Sequence, residues 1–553
     1  MYENAFVGYL NSLHNGNPAN QNAIGEMQIS SPFFTTTQVK RPLVDLIKDK
    51  ILDGEFVILT GHAGDGKTTL LFQVLNLLSG HLQTLQSVAD AICDPLPVHY
   101  VKDFSELTHE QQDIELSAGF MRKNATVLIA NTGPLLAAFR RLDETDHESE
   151  LLDMMDKSTG GQIVIEGIGK AFILNIARVD NTDFIRPFLN NLIKKSNWIP
   201  CMSCPNAGKC PILFNQQVLT DSFDKAAGFI EKMYIWLQEY DHRVTIRQIT
   251  AHLTFAITGG LSCAYVEKHS TQTLKYRYLF SNLFFGYEGI HSLSSANQIR
   301  GITLVREAGF DQKQTCMDYS LFSKTDYSPY FPSHLSILFS EAFGQHRHSD
   351  PSLMQAVIKR AFLFFGLPAH GHDNTDGETF SEWFDLYLGI RNSGIKPKEA
   401  VKRAICGAIH TLFVGETLEN GDSEIDLTLR RNNEQTSNVQ LLSGFISISN
   451  VSLICEQIET VDGTKRYRLV LKTDKLSYPI SLPLLNYFNE IYHGVIMTDI
   501  DPMLSNGIDS LKAELLAKHA AVLDGNVIPL VFLSGNKWVR RRLVIESHSV
   551  DHE

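Results

Sequence analysis

The amino-acid sequence predicts an α/β protein: a mostly parallel sheet, then a helical region, then a β-rich carboxy-terminal domain. Three observations carry that prediction. Apolar strand-like runs alternate with helical periods between residues 41 and 200, helical spacing dominates from about Pro211 to His410, and short β-rich runs return from Ser423. A chain of 553 residues exceeds what one hydrophobic core organises, so several domains are expected.

Residues 1–40 are rich in Asn, Ser, Gln and Thr without a long apolar period, and are expected to drape over the surface as an extension. The first domain should span 41–200. Leu43, Leu46, Ile47 and Ile51 recur at helical spacing, Asp53-Gly54 makes a turn, and Glu55-Phe-Val-Ile-Leu-Thr60 reads as a buried strand. After a glycine-rich stretch, Leu70, Leu71, Val74, Leu77 and Leu78 supply a helix face that stops at Gly80. Further strands are expected at 98–102, 126–130, 162–165 and 171–176, giving a mostly parallel sheet. The last two flank Gly167-Ile-Gly169 and alternatively form an edge hairpin. A helical region with a cysteine cluster (201–270), a second helical domain (271–410) and a β-rich domain (411–553) should follow, the last carrying strands such as 425–429, 445–448 and 451–455.

Composition narrows the functional classes. A net charge of −13 argues against a surface that grips nucleic acid everywhere, while leaving a local basic groove open. No apolar run approaches bilayer length and the amino terminus has no signal-like pattern, so no membrane association and a cytoplasmic location are expected. Eight cysteines in such a chain should be mostly reduced.

The chemistry concentrates in Gly61, His62, Ala63, Gly64, Asp65, Gly66, Lys67, Thr68 and Thr69. Glycines at this spacing let the backbone turn and aim successive N–H groups at phosphates, with the following helix terminus adding positive potential. Lys67 would reach the β and γ phosphates and Thr68 would ligate magnesium. This pattern between strand and helix predicts a P-loop NTPase domain of AAA+/STAND-like type; the plain alternative is a glycine-rich turn. A dinucleotide fold fits less well, because Lys-Thr stands where a third glycine belongs. ATP is the expected nucleotide, since no guanine-reading Asn-Lys-x-Asp motif stands out.

Hydrolysis needs an acid for magnesium and a polar group for the lytic water. Asp103, closing the strand at 98–102, is the candidate magnesium acid, and Glu106 the candidate catalytic carboxylate; alternatively Ser105 and Glu106 cap the next helix. Asn131, ending the strand at 126–130, is placed like a γ-phosphate sensor or as a turn residue. Arg178 and Arg247 would reach a nucleotide in cis or from a neighbour, or form surface ion pairs.

Cys201, Cys204 and Cys210 are spaced C-x2-C-x5-C among Pro, Asn and Gly, which suits a structural zinc site. Cys263 is the first candidate for fourth ligand, with His242 and His252 behind it; an iron–sulfur cluster or plain buried thiols are the alternatives. Lys537-Trp-Val-Arg-Arg-Arg542 would touch a nucleic-acid backbone or form a solvated edge strand.

Taken together, Gly61 to Thr69, Lys102-Asp-Phe-Ser-Glu-Leu107, Ile129-Ala-Asn-Thr-Gly133 and the Cys201, Cys204, Cys210 cluster resemble the DptF family, the ATPase component of bacterial phosphorothioation-dependent restriction systems. The resemblance is densest between residues 35 and 265. It implies an ATPase that works with partner subunits, and with DNA directly or through them, to restrict DNA lacking backbone sulfur as antiviral defence; a homo-oligomer is compatible with it. A nucleotide-gated signalling or scaffold protein, with slow or absent hydrolysis, is the rival from another class.

Overall fold

The computed structural model describes all residues except 1–2, 15–27, 30, 81–84, 95, 123, 143–146, 158–159, 166–167, 270, 325, 345–349, 368–374, 419–420, 430–437, 498–499, 521–525, 536, 547–548 and 553. It divides into two compact units, residues 1–375 with 459–464, and residues 376–458 with 465–553.

In the first unit, β1 (Phe56–Thr60), β2 (Val88–Ala91), β3 (Val98–Val101), β4 (Thr126–Ile129), β5 (Gly161–Ile165) and β6 (Gly169–Asn175) form one sheet in the order β2-β3-β4-β1-β6-β5. The four inner strands are parallel. The edge strands β2 and β5 run antiparallel to their neighbours. Both expectations for 162–176 therefore hold at once: β6 joins the parallel core beside β1, and β5 folds back on it as an edge hairpin. β2 was not foreseen, because Val-Ala-Asp-Ala is too short and polar to stand out.

All five residues of β1 are buried, as a strand covered on both faces must be. On one face α2 (Leu43–Leu52) and α3 (Lys67–Ser79) bring Ile47, Leu71 and Val74 onto Val57 and Leu59. On the other, α4 (His109–Met121) and α5 (Thr132–Leu142) bring Leu116, Phe120 and Leu135 onto Ile58 and Leu128. Each fully buried side chain of this size contributes about 1.5–3 kcal/mol, which fixes the strand ends that carry the site.

The described residues Ala5–Ser12 depart from the expected surface extension. α1 (Ala5–Ser12) buries Phe6 and Leu10 completely, with the Phe6 ring edge-on to Trp198 at 5.7 Å. The helix spans only eight residues between polar flanks, so its apolar stripe is too short to register as a period. Downstream lie α6 (Lys195–Met202), α7 (Ile246–Thr258) and α8 (Cys263–His269) within a helical region whose only strands among the described residues are the two-residue β7 (Tyr287–Glu288) and β8 (His291–Ser292). The stretch Ile246–His269 has the length and apolarity of a membrane span, but 67% of its apolar window is buried inside the protein. Gly259 in the left-handed region closes α7 and breaks that stretch.

The second unit is β-rich, with an antiparallel sheet in the order β16-β15-β14-β10-β9, made of β9 (Glu424–Leu429), β10 (Val439–Ser447), β14 (Val527–Ser534), β15 (Lys537–Glu546) and β16 (Ser549–His552). A smaller sheet holds β11 (Ser452–Ile458), β12 (Arg466–Lys472) and β13 (Ser477–Ile480). This unit begins at Asp376, ahead of the boundary expected at 411. Helices Phe384–Ser393 and Glu399–Val414 place Ile390, Ile405 and Ile409 in one core with Ile425, Leu427 and Val531. The expectation of a helical stretch from about Pro211 to His410 covers most of these two helices without revealing which sheet they pack on. The Lys537 to Arg542 segment lies on β15, paired with β14.

Candidate functional site

The glycine-rich loop follows β1 and opens α3 at the carboxyl edge of the parallel sheet, where the segments after β3 and β4 also emerge. Gly66 is left-handed at the helix start (φ 85°). Gly64 (φ 93°) holds a backbone conformation in which a side chain is strained, and a Cβ there would stand a tight 3.1 Å from Arg247 Cβ and Thr245 Oγ1. Ala63, Gly64, Gly66, Lys67, Thr68 and Thr69 line a cleft of about 170 Å³, joined by Asp103, Asn131 and Arg247. Gly61, His62 and Asp65 are not part of that lining. They shape the loop from behind.

Lys67 is 8% exposed, and its ammonium donates to Gly61 O (2.8 Å), His62 O (3.0 Å) and Asn131 Oδ1 (3.0 Å). Burial pulls its pKa down, Asp65 and Asp103 oppose that shift, and the nearby Arg247 charge adds to it. Asn131 in turn donates from Nδ2 to Ser105 Oγ at 3.2 Å, and Ser105 N–H donates to Asp103 Oδ1 at 2.9 Å. A hydrogen-bonded chain therefore links the segments following β3, β4 and β1. Asp103 caps the short 3-10 turn Phe104–Glu106, whereas α4 is capped by its own Thr108–Gln111 capping box. Glu106 is exposed and lies outside the cleft lining, so the structure does not bring it to the other candidates.

The loop is clamped by residues from far along the chain. Asp65 is fully buried and accepts from His62 N–H (3.0 Å) and from Arg243 Nη1 (2.9 Å). Arg41 donates to Asp65 O and to Asn181 Oδ1, and Arg247 N–H donates to Gly64 O at 3.0 Å. Arg247 thus reaches the cleft. Arg178 does not: it pairs with Asp156. Arg41, Arg243 and Ser105 were missed by sequence reasoning, because each sits in an ordinary polar context and acquires meaning through residues 24 to 178 positions away, or across strands.

Next to the cleft lies a slot of about 70 Å³. The two share Leu13, Gln28, Gly66, Thr69, Ile246 and Thr250. The slot walls are mostly apolar and include Tyr9, Val39, Leu70 and the stacked rings of Phe184 and Phe188.

Cys201, Cys204, Cys210 and Cys263 line one small cavity of about 30 Å³, bringing together the three clustered cysteines and the expected fourth. Burial raises the thiol pKa of Cys201 and Cys263, and that of Cys210 to about 11, where N–H groups of Leu213 and Ile212 directed at its sulfur oppose the shift. Asn4 Nδ2 donates to Cys201 Sγ at 3.3 Å and to Asn197 O. Among the described residues, no group of three or more His, Cys, Asp or Glu side chains stands in a ready metal-holding arrangement. His252 is no ligand candidate in this fold: both ring nitrogens are committed, one to Tyr234 OH (2.6 Å) and one to Phe284 O (2.7 Å). His242 is exposed and outside the cavity.

Comparison with protein-family models, with curated proteins and with solved structures returned no match.

Proposed function

We propose that the chain is an ATP-binding and ATP-hydrolysing subunit of a multi-protein DNA restriction complex acting on DNA that lacks phosphorothioate modification. The carrying observation is the convergence of Lys67, Thr68, Asp103, Asn131 and the Gly64 and Gly66 backbone on one cleft. The loop belongs on this reading to a P-loop NTPase domain. The restriction role, with its partner subunits and DNA, is supported by the sequence resemblance alone.

Lys67 would exchange its three loop and Asn131 acceptors for β- and γ-phosphate oxygens, stabilising charge that develops during transfer. Thr68 and Asp103 would hold magnesium, which neutralises phosphate charge; both line the cleft. Asn131, its amide oriented by Ser105, would face the γ phosphate or the attacking water. The adjoining apolar slot suits a nucleobase. Four thiolates from Cys201, Cys204, Cys210 and Cys263 would hold a structural zinc, and the N–H groups at Cys210 suit a charged sulfur.

One observation favours the second reading, a nucleotide-gated scaffold or signalling protein. Asp103 is the sole carboxylate lining the cleft among the described residues, since Glu106 points elsewhere. Magnesium-dependent ATP turnover, with and without DNA, decides between them. Hydrolysis by wild type and its loss in Lys67→Ala, together with loss of phage protection, is expected. Tight nucleotide retention with turnover no faster than release would favour the gated scaffold. No binding at all would sink both.

A further inference from the structure

We propose that the side-chain carbonyl of Gln73 reads the 6-amino group of adenine and thereby selects ATP over GTP. The inference rests on reading the glycine-rich loop as a triphosphate grip. Gln73 lies on α3 one turn beyond Thr69 and lines the slot that continues from the cleft. Because Gly66 and Thr69 border both spaces, a nucleotide held at the loop projects its base alongside Leu70 and Gln73.

The orientation of the Gln73 amide is determined by its surroundings. Nε2 donates to Val39 O at 2.9 Å and to Gln38 Oε1 at 3.4 Å. A flipped amide would press its oxygen against the Val39 carbonyl, so the assignment of nitrogen and oxygen follows from that backbone acceptor. Oε1 is left buried with no hydrogen-bond partner. Buried carbonyls are usually paired, so an orphan acceptor on a residue that lines the slot is a place where a ligand donor would complete the set.

The chemistry of the slot favours adenine. Its walls are largely apolar, with the Phe184 and Phe188 rings, Val39 and Ile246 available to enclose a planar base. Adenine brings one donor group, its exocyclic amine, and a single orphan acceptor satisfies it. Guanine presents at the same position a carbonyl oxygen, which would face Gln73 Oε1 acceptor to acceptor. Its ring N–H and 2-amino group add two more donor groups that an adenine-sized set of contacts does not serve.

The test is equilibrium binding of the full chain, with magnesium, to ATP, GTP and purine ribonucleoside triphosphate, an analogue that lacks the 6-amino group. Wild type should bind ATP about ten-fold or more tightly than either other ligand, the usual cost of leaving a buried polar group unpaired. In Gln73→Leu that preference should shrink to less than about three-fold, with the analogue bound as well as before, which also shows the variant folded. Wild type binding the amine-free analogue as tightly as ATP would overturn the proposal without touching the loop reading, and that comparison needs no variant. An undiminished ATP preference in a folded Gln73→Leu would overturn it too. If none of the three triphosphates binds, the nucleotide reading itself fails and the proposal falls with it.

Discussion

The glycine-rich loop and the cysteine cavity both draw on α1 and α7, yet they are held in opposite ways. Leu13, at the end of α1, and Ile246 and Thr250 of α7 border the cleft. Asn4, at the start of α1, reaches Cys201, and Cys263 follows the Gly259-Gly260 break after α7. At the loop the charged groups already have partners: Lys67 has three acceptors, and buried Asp65 has Arg243 and a backbone N–H. At the cavity, burial pushes Cys201, Cys210 and Cys263 toward neutral thiols. The difference teaches that the loop's charged groups are satisfied within the chain, whereas the thiols of the cavity are held neutral by burial and would ionise only for an occupant that takes the place of their protons.

The largest expected effect breaks that comparison at the cavity. Protein purified without chelator should carry about one zinc per chain, and Cys204→Ser should lose it, because removing a ligand from a structural site forfeits binding energy that is also folding energy. Metal analysis checks the first statement and thermal unfolding the second. Wild type free of both zinc and iron would leave the four cysteines as buried thiols, and the contrast with the loop would reduce to packing.

A smaller effect is expected at the loop. Arg243→Ala leaves the Asp65 carboxylate, fully buried in the native fold, without its ion pair. Removing one partner of such a pair costs about 3 kcal/mol, read as a shift of the urea midpoint, and nucleotide affinity should fall with it because Asp65 fixes the His62 N–H. Full affinity in a folded Arg243→Ala would show that the glycines shape the loop without their clamp.

The same contrast explains what was legible in the sequence. The loop is written in nine consecutive residues between a strand and a helix, so its place at the sheet edge, the mostly parallel sheet and the β-rich carboxy terminus could all be read from local pattern. Cys263 was reachable because cysteine is a rare and chemically marked residue. Arg243, Arg41 and Gln73 carry no such mark, and their roles arise from contacts between distant segments or from one unpaired atom. α1 escapes sequence pattern because an eight-residue helix buries its face through tertiary packing rather than through a period long enough to detect. Glu106 shows the converse error: proximity in sequence to Asp103 did not place it in the cleft, since the 3-10 turn after Asp103 directs it outward.

The smallest expected effect concerns α7, which serves both regions. His252 is completely buried on that helix, where its Nε2–H donates to Phe284 O and its Nδ1 accepts from Tyr234. Burial holds the imidazole neutral and lowers its pKa to about 3 from 6.5, and His14, edge-on to Phe255 of α7, is lowered to about 4 by the same cause. Because the folded values lie below the unfolded one, the neutral rings contribute fully above pH 6.5. That contribution drains away as pH falls from 6.5 toward 3, since the unfolded chain gains protons that the native fold refuses. Each such group costs about 1.4 kcal/mol per pH unit within its window. Hydrogen exchange measured on α7 amides should accordingly speed up between pH 6.5 and 5, after correction for the intrinsic pH dependence of exchange. His252→Gln, which retains both a donor and an acceptor, should flatten that slope while lowering protection at pH 7. An unchanged slope in His252→Gln would transfer the acid sensitivity to His14, and an α7 that ignores pH altogether would mean that the helix joining loop and cavity stands without either neutral ring.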